Sequence, residues 1–541
     1  AAALHARYPV ALIDEFQDTD PLQFAIFDRI YRHEGRHGSL FLVGDPKQAI
    51  YSFRSADLFT YLSARDRADT RYSLGRNQRS TPALIEACNR LFGANPAVFM
   101  LRGLDYRAVG SGERKRAPLV DDTHSGTSPA ALRLWRIPRD EAQDGEEGGD
   151  RLPRALAMQR SAAATAAEIA RLLAAGARGA VRIGERGLAP GDIAVLVRSH
   201  GQGARMRQAL ARMGVVSVEL SQASVFATED AEELERVLLA ISEPARERRV
   251  KAALATTLMG CDAQALAALS EDEAALLDVL DRFAGWRDTW LRHGFGVMLR
   301  RWMADDGVAA RLLARDDGER RLTNLMHLAE LLQQTAGSAS PEVLLRTLAT
   351  RRTDASAGEA AQLRLESDRN LVQIITIHRA KGLEYGVVFC PFLFDGHPAK
   401  GDSGPMRAWH DDTDQLILDY RMASATDKEI AARQLRERQA EDMRLIYVAL
   451  TRAVHRCYLT VGCYAKTSFG RPSYSEGARS LLNWMVAGAE HGLEKWREAK
   501  LSPAEVDAQW RSLVGRSVLD GRPVMALDDL PDGSGDPLAP A

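Results

Sequence analysis

Two strings in this sequence of 541 residues end an apolar run on groups suited to phosphoanhydride chemistry. Hydrolysis of a phosphoanhydride needs a metal anchored by a carboxylate, a group that orients water, and cations that neutralise charge developing on the terminal phosphate. Val10-Ala11-Leu12-Ile13-Asp14-Glu15 reads as a strand with two acids at its carboxyl end, where α/β sheets bind ligands. There Asp14 would hold Mg²⁺ through water and Glu15 would polarise the attacking water. An apolar run ending in two acids is common, but this one continues as Phe16-Gln17-Asp18-Thr19. A second strand then ends on Val43-Gly44-Asp45-Pro46-Lys47-Gln48-Ala49-Ile50-Tyr51-Ser52-Phe53-Arg54. Two such strand ends in succession are hard to obtain by chance. The second string also sets aromatic rings beside an arginine, the combination that follows a single nucleic-acid strand without reading its sequence.

These two strings resemble motifs II and III of the UvrD-like superfamily 1 helicases, and later segments extend the match. Arg76-Asn77-Gln78-Arg79-Ser80-Thr81 resembles motif IV, Thr376-Ile377-His378-Arg379-Ala380-Lys381-Gly382-Leu383-Glu384-Tyr385 motif V, and Tyr447-Val448-Ala449-Leu450-Thr451-Arg452-Ala453 motif VI. Within the family, Gly44–Tyr51, Gly318–Leu322 and Leu365–Asp368 look most like RecB-type beta subunits of exodeoxyribonuclease V. The resemblance implies ATP and Mg²⁺ as cofactors. Gln48 would sense the γ-phosphate, and Arg79 and Arg452 would approach it from opposite sides of a cleft, arginine being suited by a planar fork that stays charged. Glu384 would accept a hydrogen bond from the nucleotide ribose. On the DNA side, Phe53 stands where these helicases stack a ring on a base, Arg54 and His378 would contact the strand, and Tyr51 is either a DNA contact or core. Partners would be single-stranded and duplex DNA ends and the gamma (RecC) and alpha (RecD) subunits of exodeoxyribonuclease V. The implied activity is ATP-dependent 3′→5′ movement that unwinds double-strand ends for recombinational repair. Two rivals stay open: another superfamily 1 motor, AddA-type or UvrD/Rep-type, and a non-catalytic scaffold of helicase fold.

Departures from the pattern set further expectations. Gln78 replaces the family's adenine-stacking aromatic, and Ser55 replaces a usual glycine in the motif III turn. No G-x-x-x-x-G-K-[ST] loop, whose amides and lysine cradle phosphates, occurs in the sequence. In the family it lies upstream of motif II, and no acidic, lysine-containing nuclease motif follows residue 465. A fragment short of both ends, inactive by itself, is therefore expected.

The chemistry must be positioned by several domains, since a prior of roughly 150 residues each suggests three or four. With 45% hydrophobic and 27% charged residues and a net charge of −2, the chain is an ordinary globular one whose DNA contacts must be local grooves. Its five cysteines form no C-x-x-C pair, which argues against a disulfide or metal framework and suits the cytoplasm. No apolar stretch approaches the roughly 20 residues of a membrane span.

Apolar runs at Val10–Ile13 and Leu40–Val43 with a helical pattern at Leu22–Tyr31 predict a parallel α/β sheet. Polar stretches at Gly110–Ser128 and Asp140–Asp150 read as surface loops around a strand at Ala131–Ile137. Strands are also expected at Asp192–Arg198, Leu371–Ile377, Val387–Cys390 and Tyr458–Val461, with a helix around Met443–Leu450. Residues 230–365 carry helix periodicity, as in Leu234, Val237, Leu238, Ile241 and in Leu322, Leu325, Met326, Ala329. The expected class is α/β with tandem RecA-like (P-loop NTPase) domains, the first incomplete, and an inserted all-helical 2B domain. The C-terminal part of domain 1A takes 1–105, the first part of domain 2A with surface loops 106–229, the 2B insert 230–365, and the second part of 2A 366–470. A helical extension and linker toward a nuclease domain takes 471–541, its tail Asp520–Ala541 rich in Pro, Gly and Asp.

Overall fold

The computed structural model describes residues 1–32, 39–123, 130–138, 152–220, 225–315, 318–336, 340–353, 370–396, 407–420, 428–468, 471–489, 492–499 and 501–538. Two compact units divide the chain, one of residues 1–220 with 370–541 and one of residues 221–369. The expected loop at Asp140–Asp150 and the phrase Leu365–Asp368 lie outside the described residues.

The first unit is organised by a seven-stranded sheet, ordered Ser217–Leu220, Val372–Thr376, Ile193–Val197, Tyr385–Cys390, Ala453–Val461, Leu132–Arg136 and Met525–Asp529. Every pairing in it is parallel. A parallel sheet covered on both faces demands continuous apolar strands, and Ile193–Val197 and Ala453–Val461 are buried at every position. The polar members of the latter need partners: Arg456 Nη1 donates to Asp121 at 2.9 Å and Thr460 meets the Ser161 hydroxyl at 2.8 Å. The α/β class read from the sequence is the one observed.

Ahead of that sheet, Val10–Ile13 and Ser39–Leu42 form a parallel pair joined through helix Pro21–Tyr31. Asp20 and Gln23 make a capping box at the helix start, with Pro21 at its first position. The parallel sheet expected from Val10–Ile13 and Leu40–Val43 is thus two-stranded among the described residues, and Leu12 and Phe41 remain 74% and 55% exposed. Its small core is Phe16, Phe24 and Ala64 against Ile13, Leu42 and Tyr61.

Two loop expectations need correction. Within Gly110–Ser128, Gly110–Ser111 pairs with Arg76–Asn77, and Leu119–Asp121 pairs antiparallel with Val181–Ile183. The tail, expected to be a linker, supplies strand Met525–Asp529, fixed to its neighbour by ion pairs of Arg133 with Asp528 and of Arg136 with Asp529. Further on, the Leu538 amide donates to the Met213 carbonyl at 2.9 Å.

The second unit is helical among its described residues, from Glu229–Ser242 to Pro341–Thr353. Leu234, Val237, Leu238 and Ile241 are fully buried, as are Trp302 and Leu325. Met326, expected on the same stripe as Leu325, is instead 49% exposed. Arg321 is buried between Asp230 (2.7 Å) and Glu233 (3.2 Å), so its charge is paired where the solvent is excluded. No helix among the described residues is long and apolar enough to cross a membrane.

In the first unit, His410 lies 3.2 Å from Asp57, the cap of helix Leu58–Asp66, and 3.1 Å from Glu437, with the Phe59 ring stacked on it. Burial opposes its charge, but the two carboxylates prevail and hold the imidazole up at about 9. A raised pKa stabilises the fold fully below the free value of about 6.5 and ceases to do so as pH rises through about 9. His410→Gln is therefore expected to lower the urea midpoint near pH 6 and to leave it close to the parent's above pH 10. A deficit independent of pH would sink the ion-pair account.

Candidate nucleotide and DNA site

Strand Val10–Ile13 delivers Asp14 and Glu15 to its carboxyl end, and the chain then turns at once into a 3-10 turn, Phe16–Asp18. Glu15 makes that turn in the left-handed region, φ 50°, a conformation a non-glycine residue keeps only when its surroundings impose it. The Phe16 amide donating to the Val43 carbonyl (2.9 Å) and the Asp18 amide to the Glu15 carbonyl (2.9 Å) impose it. The Glu15 amide donates to the Asp14 carboxylate at 2.8 Å, and the Gln17 side-chain amide bonds the Glu15 carboxylate. Gln17 also accepts from the Asp45 amide at 2.9 Å, tying the two strand ends together. A Cβ on Gly44 would come within 2.4 Å of that same Gln17 oxygen, so the approach requires glycine there.

Lys381, barely exposed, brings its ammonium to 2.6 Å from Asp18 and 3.4 Å from Glu15. The residues after Gly44 are organised by Asp45. Its carboxylate accepts from the Lys47 amide (3.0 Å), the Lys47 ammonium (2.6 Å), the Gln48 side chain (3.1 Å) and the Tyr447 hydroxyl (3.2 Å). Gln48 is therefore aimed by an acid three positions before it, which is itself held by a helix far away in sequence.

Arg79 and Arg452 face this cluster. Asn77 accepts from the Arg79 and Ser80 amides, and the Ser80 hydroxyl donates to the Ala453 carbonyl at 2.7 Å, so the turn bearing Arg79 is stitched to the residues after Arg452. Arg79 Nη1 donates to the Thr451 carbonyl at 3.2 Å, while its Nε has no hydrogen-bond partner and sits 3.7 Å from Glu384. Arg452 has no exposed surface and donates to the Val448 carbonyl (2.9 Å), the Thr451 hydroxyl (3.0 Å) and the Leu383 carbonyl (3.5 Å). Burial, then the repulsion of Arg79, pushes Arg452 down to about 10; burial also lowers Arg79. Two cations withdrawn from solvent, one wholly and one in part, press on each other, and the carboxylate near them is Glu384, 3.7 Å from Arg79. Such a place gains from an anion. That carboxylate, Glu384, accepts from Arg116 at 2.8 Å, and this contact chiefly holds it below the usual carboxylate range.

On the other side of Asp45–Gln48 the chain runs to Phe53, which is 66% exposed and meets the His378 ring edge-on at 5.4 Å between centroids. The Tyr51 hydroxyl donates to the His378 carbonyl at 3.0 Å, and its ring carries Lys381 on one approach (5.1 Å) and Arg54 on another (5.8 Å). Half-buried and bonded in this way, Tyr51 supports the turn, while Phe53 offers a free ring face. Ser55 adopts φ 67°, so the turn expected to need glycine forms with serine in the left-handed region. Gln78 accepts from the Arg114 amide at 3.1 Å and so is engaged by its own chain.

Glu15 is thus paired with Lys381, Gln48 with Asp45, and Arg79 with Glu384 and the residues flanking Arg452, which feels the charges of Asp45 and Glu15, with Asp14 adjoining Glu15 at the strand end, and Tyr51, Phe53, Arg54 and His378 form a second group. Sequence reasoning passed over Asp45, Lys381 and Tyr447, although all three stand inside the quoted motif strings. It also passed over Arg116, Glu441 and Arg444, for which no local pattern gave a signal.

Comparison with known proteins finds two matching families and several relatives. The UvrD/REP helicase N-terminal domain family matches residues 1–69, and the UvrD-like helicase C-terminal domain family matches residues 298–462. The chain thus carries two stretches that match UvrD-like helicases. It is similar to RecBCD enzyme subunit RecB of Escherichia coli K12, 38% identical over 469 residues, which are 85% of this chain and 38% of that protein. The same subunit of Haemophilus influenzae is 35% identical over 500 residues (91% and 38%), and that of Mycobacterium tuberculosis H37Rv 35% over 460 (83% and 39%). The chain spans about two fifths of the length of these relatives.

Proposed function

We propose that the chain is the part of an ATP-dependent 3′→5′ DNA helicase, the RecB-type subunit of a RecBCD-type enzyme, that places water, γ-phosphate cations and a DNA strand around one nucleotide. The observation that carries this is the Arg79–Arg452 pair, a half-buried and a fully buried guanidinium that repel each other, the first with an Nε that has no hydrogen-bond partner, the second within reach of the charges of Asp45 and Glu15. A scaffold without turnover would gain nothing from that arrangement, since desolvated cations whose charge is only partly answered are costly. In this reading residues 1–105 are the C-terminal part of RecA-like domain 1A, 106–229 and 366–470 the two parts of 2A, and 230–365 the 2B insert, with 471–541 as its extension. The enzyme would act in the cytoplasm on single-stranded and duplex DNA ends, together with gamma (RecC) and alpha (RecD) subunits.

The donor set suits ATP with Mg²⁺. Mg²⁺ is commonly held by one or two carboxylates plus substrate phosphates, and Asp14 supplies such a carboxylate. When bound, the metal would neutralise phosphate charge. Glu15 would hold the attacking water's proton, Gln48 would sense the γ-phosphate, Arg79 and Arg452 would stabilise charge on it, and Glu384 would accept from the ribose. Phe53 would stack on a base, with Tyr51, Arg54 and His378 along the strand.

Steady-state ATP hydrolysis by the full-length enzyme, with and without a single-stranded oligonucleotide, tests the reading. Turnover should rise with DNA, and turnover indifferent to DNA overturns it. Residues 1–541 by themselves contain no phosphate-binding loop, and phosphoryl transfer depends on positioning. They are expected to stay well below about 1 s⁻¹, the low end of ordinary enzyme rates. Phe53→Ala should weaken single-strand binding by roughly 1–3 kcal/mol, the worth of one stacked base, without altering the salt dependence that phosphate contacts set. Fluorescence anisotropy across a salt series checks it, and an unchanged affinity would remove Phe53 from the interface.

A further inference from the structure

Helix Lys428–Leu450 presents three side chains to the segment that runs from Asp45 to Ser52. Glu441 accepts from the Ser52 amide (3.2 Å) and hydroxyl (2.6 Å). Arg444 donates to the Ala49 carbonyl at 2.6 Å, and Tyr447 donates to the Asp45 carboxylate at 3.2 Å. Positions three and six apart share one helix face and span about 9 Å at 1.5 Å per residue. The contacts fall in reverse order along the segment, 441 to 52, 444 to 49, 447 to 45, so it lies antiparallel to the helix and is gripped at each turn. Gln48 sits within the gripped stretch, between Asp45 and Ala49, and Phe53 sits directly beyond its Ser52 end.

Arg444 is the member that stability alone explains least. It is 5% exposed, burial pushes it down to about 10, its Nε donates to a neutral carbonyl, and its Nη1 has no hydrogen-bond partner. The charges of Glu441, Asp442 and Glu437 offset that burial from nearby, but a buried cation without a hydrogen-bonded carboxylate is costlier to keep than an apolar side chain of its volume. What the guanidinium provides is a directed donor on the backbone immediately after Gln48.

We infer that Glu441, Arg444 and Tyr447 form a positioning rail that locks Asp45–Ser52 into one register, so that displacement at Gln48 is carried to Phe53 and nucleotide state is transmitted to the DNA strand. Glu441 and Arg444 are positioning residues that touch neither ligand. The inference rests on the helicase reading above. In the full-length enzyme with its partner subunits, Glu441→Gln and Arg444→Met should each keep DNA-independent ATP turnover within about twofold. The stimulation by a single-stranded oligonucleotide should fall at least tenfold at saturating DNA, and Arg444→Lys should recover part of it by restoring a donor. Glu441 lies at the rim of the contact, so its isosteric variant keeps the test in force should Arg444→Met not fold. Stimulation within twofold of the parent in Glu441→Gln overturns the rail, and so does a loss of basal and stimulated turnover by one common factor, which is what mere destabilisation gives. An unmodified enzyme that DNA does not stimulate overturns the helicase reading itself, a result the variants cannot mimic.

Discussion

In the full-length enzyme, Arg452→Ala is expected to lower single-turnover ATP hydrolysis by about three to five orders of magnitude, and Arg79→Ala to a comparable degree, the range that loss of an arginine finger produces. Both guanidiniums sit in low dielectric with their charges only partly answered, by Glu384 near Arg79 and by Asp45 and Glu15 at a greater remove from Arg452. A charge that builds on a phosphate between them is stabilised by both and relieves their repulsion, so the effect is confined to the state in which that charge is largest. Because the two act on one anion, the double variant is expected to lose much less than the product of the single losses. Arg452 also holds the Val448 and Leu383 carbonyls, so its removal needs a structural control. Arg452→Lys retains the cation but loses the fork. It should melt near the parent temperature and still turn over at least a hundredfold more slowly. Turnover within tenfold of the parent in Arg452→Ala would take that residue out of the site.

What could be read from residues alone followed from how local the causes were. Val10–Ile13 and Ile193–Val197 announce themselves because apolar runs bounded by polar or turn residues have few alternatives. Leu119–Asp121 does not, because the buried Asp121 has its charge answered by Arg456, 335 positions away, and by Arg171, neither of which a local window contains. The tail misleads in the same way: Pro, Gly and Asp suggest a linker, yet Asp528 and Asp529 find Arg133 and Arg136 on the neighbouring strand. Gly44 illustrates a cause visible only in three dimensions, since what forbids a Cβ is a side-chain oxygen of Gln17. At Ser55 the local rule argued for glycine and the turn forms regardless. Its neighbours Ser52 and Tyr51 are anchored by Glu441 and the His378 carbonyl, and that anchoring outweighs a left-handed penalty of order 1–2 kcal/mol. The chemistry-bearing residues were named from short strings, but Asp45, Lys381 and Tyr447, which aim them, were not, because an aiming role is defined by partners rather than by residue type.

Glu15→Gln is expected to lower ATP turnover by about two to four orders of magnitude, the usual contribution of a positioned general base, while nucleotide affinity changes less than threefold. The substitution keeps the shape of the side chain. It also leaves undisturbed the backbone bonds that hold residue 15 at φ 50°, the Phe16 amide to the Val43 carbonyl and the Asp18 amide to the Glu15 carbonyl, so strain that aims the side chain is retained. What it removes is the negative charge and the acceptor for a water proton. It also removes the attraction of Lys381, whose ammonium keeps its shorter 2.6 Å contact with Asp18 and so stays in place. Binding energy from the arginines and from Gln48 does not depend on that charge, which is why affinity and rate are expected to separate. Rapid-quench single turnovers beside equilibrium titration with a fluorescent nucleotide measure the two quantities on one preparation. A loss of affinity equal to the loss of rate would mean that Glu15 holds the nucleotide, through the metal or directly, and would assign the attack on the γ-phosphate to a different base.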